Sequence, residues 1–277
     1  MKTASYSPTY ITGMKRASYI AAAALCAALY AGGIAVTAPI PTPWGVGHLR
    51  PAVVVPAFFA IVSGPYVAGL GAALGTFVGS ILLASVGLSN PLLSLVSGVP
   101  GNFVGFFLLG LLTRRYRSWR TFIWASVVGV FIGNLIAASG VMAYLSMVEP
   151  RWAPWPLSVK LATIMGFTLF WMVTMIPFIL PIVPALIRAV APLSGRAGIN
   201  VPVWKQAEPS KLMPLSLTTA IILGAVFAVV VFTPLGDLMF VKITLPDQSF
   251  WVKTLVLIAG VSVAVFGPLI SLIRGPS

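Results

Sequence analysis

Apolar runs of about 20 residues recur along the chain, and that recurrence limits what it can fold into more than any single residue does. About 20 apolar residues are what one helix needs to cross some 30 Å of hydrocarbon. Such runs occupy 17–38, 51–63, 65–86, 91–112, 121–147, 159–186, 215–233 and 251–273. Hydrophobic residues make up 59% of the chain and Asp, Glu, Lys and Arg only 8%, with a mean hydropathy of +1.03. A soluble domain carries roughly 25% charged residues, so a water-soluble enzyme, a disordered chain and a nucleic-acid partner are all excluded. The expected fold is an all-α polytopic membrane protein. Lys2, Lys15 and Arg16 precede the first run as in a signal peptide, but no clean cleavage end follows, so 17–38 is read as a retained span. Pro39 supplies its stop, because the residue before proline is pushed out of the helical region.

The second run is short for a crossing, and charge decides how to count it. As one straight helix, 51–86 would be about 54 Å long. Counting two segments joined at Gly64-Pro65 puts Lys2, Lys15, Arg16, Arg114, Arg115, Arg117, Arg120, Arg188, Arg196, Lys205, Lys211 and Arg274 on one side. The opposite side keeps Arg50, Arg151, Lys160, Lys242 and Lys253, together with Glu149, Asp237 and Asp247. Positively charged loops stay in the cytoplasm, so the hairpin is the better count. It places both termini in the cytoplasm of a cell-membrane protein, with 113–120 as a cytoplasmic loop. The polar stretch 191–214, with Gly195, Pro202 and Pro209, then separates a six-helix membrane core (1–190) from a two-helix appendage (215–277).

What the chain lacks is as informative as what it carries. All four acidic residues fall in expected loops, whereas proton and sodium carriers usually keep an ionisable group near the bilayer midplane. No GxxxxGK[ST] loop cradles a nucleoside triphosphate. His48 is the one histidine and Cys26 the one cysteine, so neither a metal site nor a bis-histidine haem is expected, and no other cofactor. An enzyme is not expected either, since acyl or phosphoryl transfer needs a base beside a nucleophile and only Trp44, His48 and Arg50 come near forming such a cluster.

The runs carry uncharged polar residues instead: Thr76, Ser80, Ser94, Ser97, Asn102, Ser126, Asn134, Ser139, Thr163, Thr168 and Thr174. An amide in hydrocarbon needs a partner, supplied by another helix or by a ligand. Asn102 lies in Gly98-Val99-Pro100-Gly101-Asn102, where proline removes a helix donor and irregular backbone is expected around a cavity. Gly71, Gly75 and Gly79 form a GxxxGxxxG ladder, and Gly101 and Gly105 repeat the spacing. On the first span Ala23, Ala27 and Ala31, and beside them Ala24 and Ala28, make AxxxA stripes that serve packing within the chain or against a partner equally well. Amides, hydroxyls and indoles without embedded carboxylates suit a flat, polar, largely neutral solute. Arg50 and Arg151, near the outer face, read first as interface anchors, with attraction of a solute's carboxylate or phosphate group as the alternative.

The order of these features resembles a known family. Ala24-Leu25-Cys26-Ala27-Ala28-Leu29-Tyr30 follows Lys15-Arg16, a proline-rich loop leads to Arg50-Pro51, Gly64-Pro65 joins two short spans, and the glycine ladder 69–79 comes next. This pattern, over roughly 10–190, resembles the substrate-binding S components of energy-coupling factor (ECF) vitamin transporters. The resemblance implies six helices with both termini cytoplasmic, uptake of a small-molecule solute, and partnership with a transmembrane T component and two ABC-type ATPase subunits. It assigns T-component docking to Ala23 and Ala27 or the adjacent Ala24 and Ala28. Solute binding, capped by the loop after the first helix, falls by position on Trp44, His48, Asn90, Asn102, Asn134 and Trp171. The chain departs from the family in the two helices after Pro214 and in lacking the N-terminal metal-binding histidine of the nickel and cobalt members. A structural or accessory subunit of a larger membrane complex, and a stand-alone carrier, are the alternative functions.

Overall fold

The computed structural model describes residues 16–37, 50–115 and 119–193, and every regular element among them is helical. The expected appendage 215–277, the linker beyond 193 and both termini lie outside the described residues. Helix α1 spans Arg16–Thr37, α2 Val54–Val62, α3 Pro65–Ala84, α4 Pro91–Val96, α5 Gly98–Arg115, α6 Trp119–Val148 and α7 Leu157–Val190. A 3-10 turn, Pro51–Val53, leads into α2, and another, Ala191–Leu193, follows α7.

Among the described residues five segments are long and apolar enough to cross a membrane: Ala17–Thr37, Pro65–Ala84, Pro91–Arg114, Thr121–Val148 and Leu157–Val190. The sixth expected span, Pro51–Val62, is shorter, and at 1.5 Å per residue it rises only about 18 Å. It is nonetheless a separate leg of a hairpin. Gly64 at φ 99° and ψ 177° turns the chain in a conformation that a side chain would oppose, and Pro65 opens α3 where a missing N–H costs nothing. The register of α1 on α3 shows the same thing from outside the hairpin. A Cβ on Gly71 would meet Cys26, one on Gly75 would meet the Ala27 carbonyl at 2.8 Å, and one on Gly79 would meet Ile34 at 3.1 Å. Numbers rise together on both helices, so α1 and α3 run parallel and α2 returns between them.

The glycine ladder therefore packs α3 against the Ala23–Ala27–Ala31 side of α1. All three alanines are buried, while Ala24 and Ala28 face outward with Leu25 and Leu29. A second seam joins α5 and α6 in antiparallel register, where Gly101 faces Gly133 and Gly105 faces Gly129 with backbone against backbone. The α6 half of that seam has the GxxxG spacing of Gly129 and Gly133 followed by Ala137, a signal present in the sequence beside those noted above. With no side chain between them, the two helices come close enough for van der Waals contact along the backbone, which is the main attraction available where lipid competes equally for apolar surface.

The fourth span is broken at Ser97, between α4 and α5. The irregular backbone expected at 98–102 is instead confined to Ser97, and 98–102 form the start of α5, because Pro100 falls in a first turn where its missing N–H leaves no bond unmade. The Gly101 N–H starts the helix by donating to the Ser97 carbonyl at 3.1 Å. Gly140 of α6 lies against the Val96 carbonyl and Ser97, so the break is held inside the bundle.

Candidate functional site

A small cavity lies at this break, on the side of the bundle that carries Thr37 and Arg50. Arg50, Ser97, Gly98, Asn102, Gly133, Asn134, Ala137, Trp171 and Met175 line it, and its volume is about 30 Å³. Four parts of the chain converge there: the residue before the first 3-10 turn, the α4–α5 break, the glycine seam of α6, and the middle of α7. Trp171 and the two amides border the space together with Gly98 and Gly133.

Three of the residues expected to bind solute, Asn102, Asn134 and Trp171, are brought together here. Arg50, expected to be an interface anchor, joins them. Asn90 does not: it caps α4, its Oδ1 accepting from Leu92 N at 2.9 Å and Leu93 N at 3.3 Å while its Nδ2 donates to the Tyr144 hydroxyl at 2.9 Å. Trp44 and His48 lie outside the described residues. The four alanines assigned to docking divide, with Ala23 and Ala27 inside the fold and Ala24 and Ala28 on its surface.

Hydroxyls in the bundle mostly turn back onto their own helix. Thr76 donates to Ala72 O, Thr113 to Leu109 O, Thr163 to Val159 O, Thr168 to Ile164 O, and Ser139 to Leu135 O, each four residues back. Thr174 and Ser80 reach three residues back to Trp171 O and Phe77 O. Such local bonds satisfy a hydroxyl without any partner helix, so most of the polar residues in the spans carry no information about a ligand.

The amides behave differently. Asn102 Nδ2 donates to the Thr76 hydroxyl at 2.8 Å, an interhelical bond between α5 and α3. Asn134 Nδ2 reaches only the thioether of Met175, at 3.5 Å, and sulfur is a weak acceptor. Among the described residues, the buried side-chain atoms without a hydrogen bond are the Tyr30 hydroxyl, Ser94 Oγ, Ser126 Oγ, Ser146 Oγ and Trp152 Nε1. Tyr30 and Ser94 stand next to Arg50.

The electrostatics of the cavity are one-sided. Arg50 brings a full positive charge, and the start of α5 at Gly98 adds the partial positive charge of a helix N-terminus. Among the described residues the one carboxylate is Glu149, which pairs with Arg151 at 2.9 Å in the turn before α7. Among the same residues no three metal-ligating side chains come together. Chemically, the arrangement can donate hydrogen bonds, stack a flat group on an indole, and attract negative charge. Comparison of the chain with protein-family models, with curated proteins and with solved structures finds no match.

Proposed function

We propose that the chain is the membrane-embedded substrate-binding subunit of an ATP-driven importer of the ECF type, taking up a small, vitamin-like or nucleobase-like solute. One observation carries the reading: a cavity inside a bundle of apolar helices, at a broken helix, lined by Asn102, Asn134 and Trp171. Irregular backbone at membrane depth is tolerated where it borders a cavity, and transporters place their solutes at such breaks. The resemblance of 10–190 to S components supports the same assignment, as does the lack of a nucleotide-binding loop in the sequence, which leaves ATP hydrolysis to separate chains. In this reading T-component docking falls on the outward stripe of α1, Ala24 and Ala28, since Ala23 and Ala27 are occupied by Gly71 and Gly75.

Tagged and purified from native membranes, the chain is expected to bring down two ABC-type ATPases and a T component. A chain that purifies alone and transports in liposomes without ATP would overturn the proposal.

A second reading rests on the size of the cavity. Small-molecule sites hold roughly 300–1,000 Å³, and 30 Å³ is far less. A vitamin-sized solute requires α6 and α7 to part or Trp171 to turn. If neither happens, the polar residues only join helices, and the chain is a structural or accessory subunit of a larger membrane complex. Co-purification with respiratory subunits would favour that reading.

A further inference from the structure

An arginine placed against a helix N-terminus is an arrangement of like charges. A Cβ on Gly98, the first residue of α5, would lie 3.7 Å from Arg50 Nη1. Cations are stabilising at helix C-termini and unfavourable at N-termini, where the free N–H groups already point positive charge outward. An anion placed between them reverses the sign of both contacts.

A buried hydroxyl supports the same conclusion independently. Ser94 is 8% exposed and its Oγ makes no hydrogen bond, although the local bond to its own helix that satisfies Thr76 and Thr163 is the common solution in this bundle. The same Cβ position on Gly98 lies 3.6 Å from that Oγ, so Ser94 and Arg50 Nη1 flank one point. An unpaired hydroxyl, a guanidinium and a helix N-terminus therefore meet at one place, with no carboxylate beside them among the described residues. Leaving a buried donor unmade is costly, so a shared acceptor accounts for all three at once.

We propose that Arg50, Ser94 and the N-terminus of α5 form a binding site for a carboxylate group, which on the importer reading is the anionic end of an otherwise neutral solute. The adjoining cavity, which Arg50 and Gly98 line, has a volume of about 30 Å³ and suits a group of roughly two or three heavy atoms. A carboxylate has that size and presents two acceptor oxygens to the guanidinium fork. Asn134, bonded only to a thioether, and Trp171 then face the remainder of the solute.

Fluorine NMR of the full chain in detergent tests the site with trifluoroacetate and its neutral amide, trifluoroacetamide, as probes. Trifluoroacetate should bind roughly 10-fold to 150-fold more tightly than the amide, the range for a hydrogen bond to a charged group. Arg50→Gln should remove that preference, Arg50→Lys should retain part of it, and Ser94→Ala should weaken the acid alone. Equal binding of acid and amide, binding of neither, or an unchanged preference in Arg50→Gln would overturn the proposal. Should Arg50→Gln fail to fold, the acid-to-amide ratio of the unmodified chain decides by itself. The measurement needs no partner subunit. Loss of the acid preference in a chain that still brings down ATPases would remove the anion site and keep the importer, and the converse result would do the reverse.

Discussion

Asn102 Nδ2 donates to the Thr76 hydroxyl across 2.8 Å and thereby ties α5 to α3 one turn beyond the break in the fourth span. Thr76 can accept this bond because it gives its own proton to Ala72 O, so the pair is satisfied as a chain of two hydrogen bonds. The amide is thus part of the scaffold and of the cavity lining at the same time.

Asn102→Ala should cost about 1 to 2 kcal/mol of stability, the range for an interhelical hydrogen bond in a membrane bundle. Thr76→Val should cost a similar amount, and the double variant less than the sum, because each single change already breaks the shared bond. Equilibrium unfolding in mixed micelles measures all three. An additive result would show that the two side chains are energetically independent despite their distance.

The alanine stripes on α1 give a sharper contrast. Ala27 is buried beside Gly75, whereas Ala28 one position on is exposed. Ala27→Leu should destabilise the isolated chain by roughly 1 to 3 kcal/mol through overpacking. Ala28→Leu should leave its unfolding unchanged and, on the importer reading, reduce recovery of the T component in a pull-down. Equal thermal stability of the two variants would mean that α1 does not pack by the register described.

The all-helical fold and most helix bounds were legible in the sequence because the bilayer sets a length and proline and glycine mark the ends. The limits of α1, α3 and α6 differ by at most two residues from the apolar runs that announce them, whereas the run 91–112 is divided between α4 and α5. The hairpin at Gly64-Pro65 was legible too, from charge placement. What periodicity does not carry is which of two adjacent small-residue stripes faces inward: Ala23/Ala27 and Ala24/Ala28 are equivalent in composition, and only the position of the Gly71–Gly79 ladder separates them. Asn90 illustrates a different confusion, since an asparagine before proline at the head of a helix reads equally as a polar lining residue and as a cap. Arg50, read first as an interface anchor, lines the cavity. A basic residue beside a span is normally a surface anchor, and nothing in the sequence reports that the fourth span breaks opposite it.

Close backbone approach at the α5–α6 seam makes its glycines intolerant. A Cβ on Gly101 would come to 2.5 Å from the Gly133 carbonyl, and that neighbour is backbone that cannot rotate away. Gly101→Ala should therefore destabilise by more than the ordinary 1 to 3 kcal/mol of core overpacking. Gly32→Ala is the control. No atom lies within 4 Å of its would-be Cβ, and it should be neutral or stabilise by up to about 1 kcal/mol through reduced backbone entropy. Denaturation midpoints of the two variants, compared with the parent, check both signs.

Sidedness can be read with single cysteines because the chain offers a silent background: its one cysteine, Cys26, is 0% exposed. Arg114 lies near the end of α5 and Ser158 near the start of α7, with α6 running between those ends. One crossing separates the two positions, so Arg114→Cys and Ser158→Cys should be labelled from opposite faces of the membrane by an impermeant maleimide. The excess of Lys and Arg around 114–120 assigns the cytoplasmic face to the first. In intact cells only Ser158→Cys should react, and permeabilisation should expose Arg114→Cys. Labelling of both before permeabilisation would require α6 to re-enter the face it left, which a 30-residue helix without a break does not do.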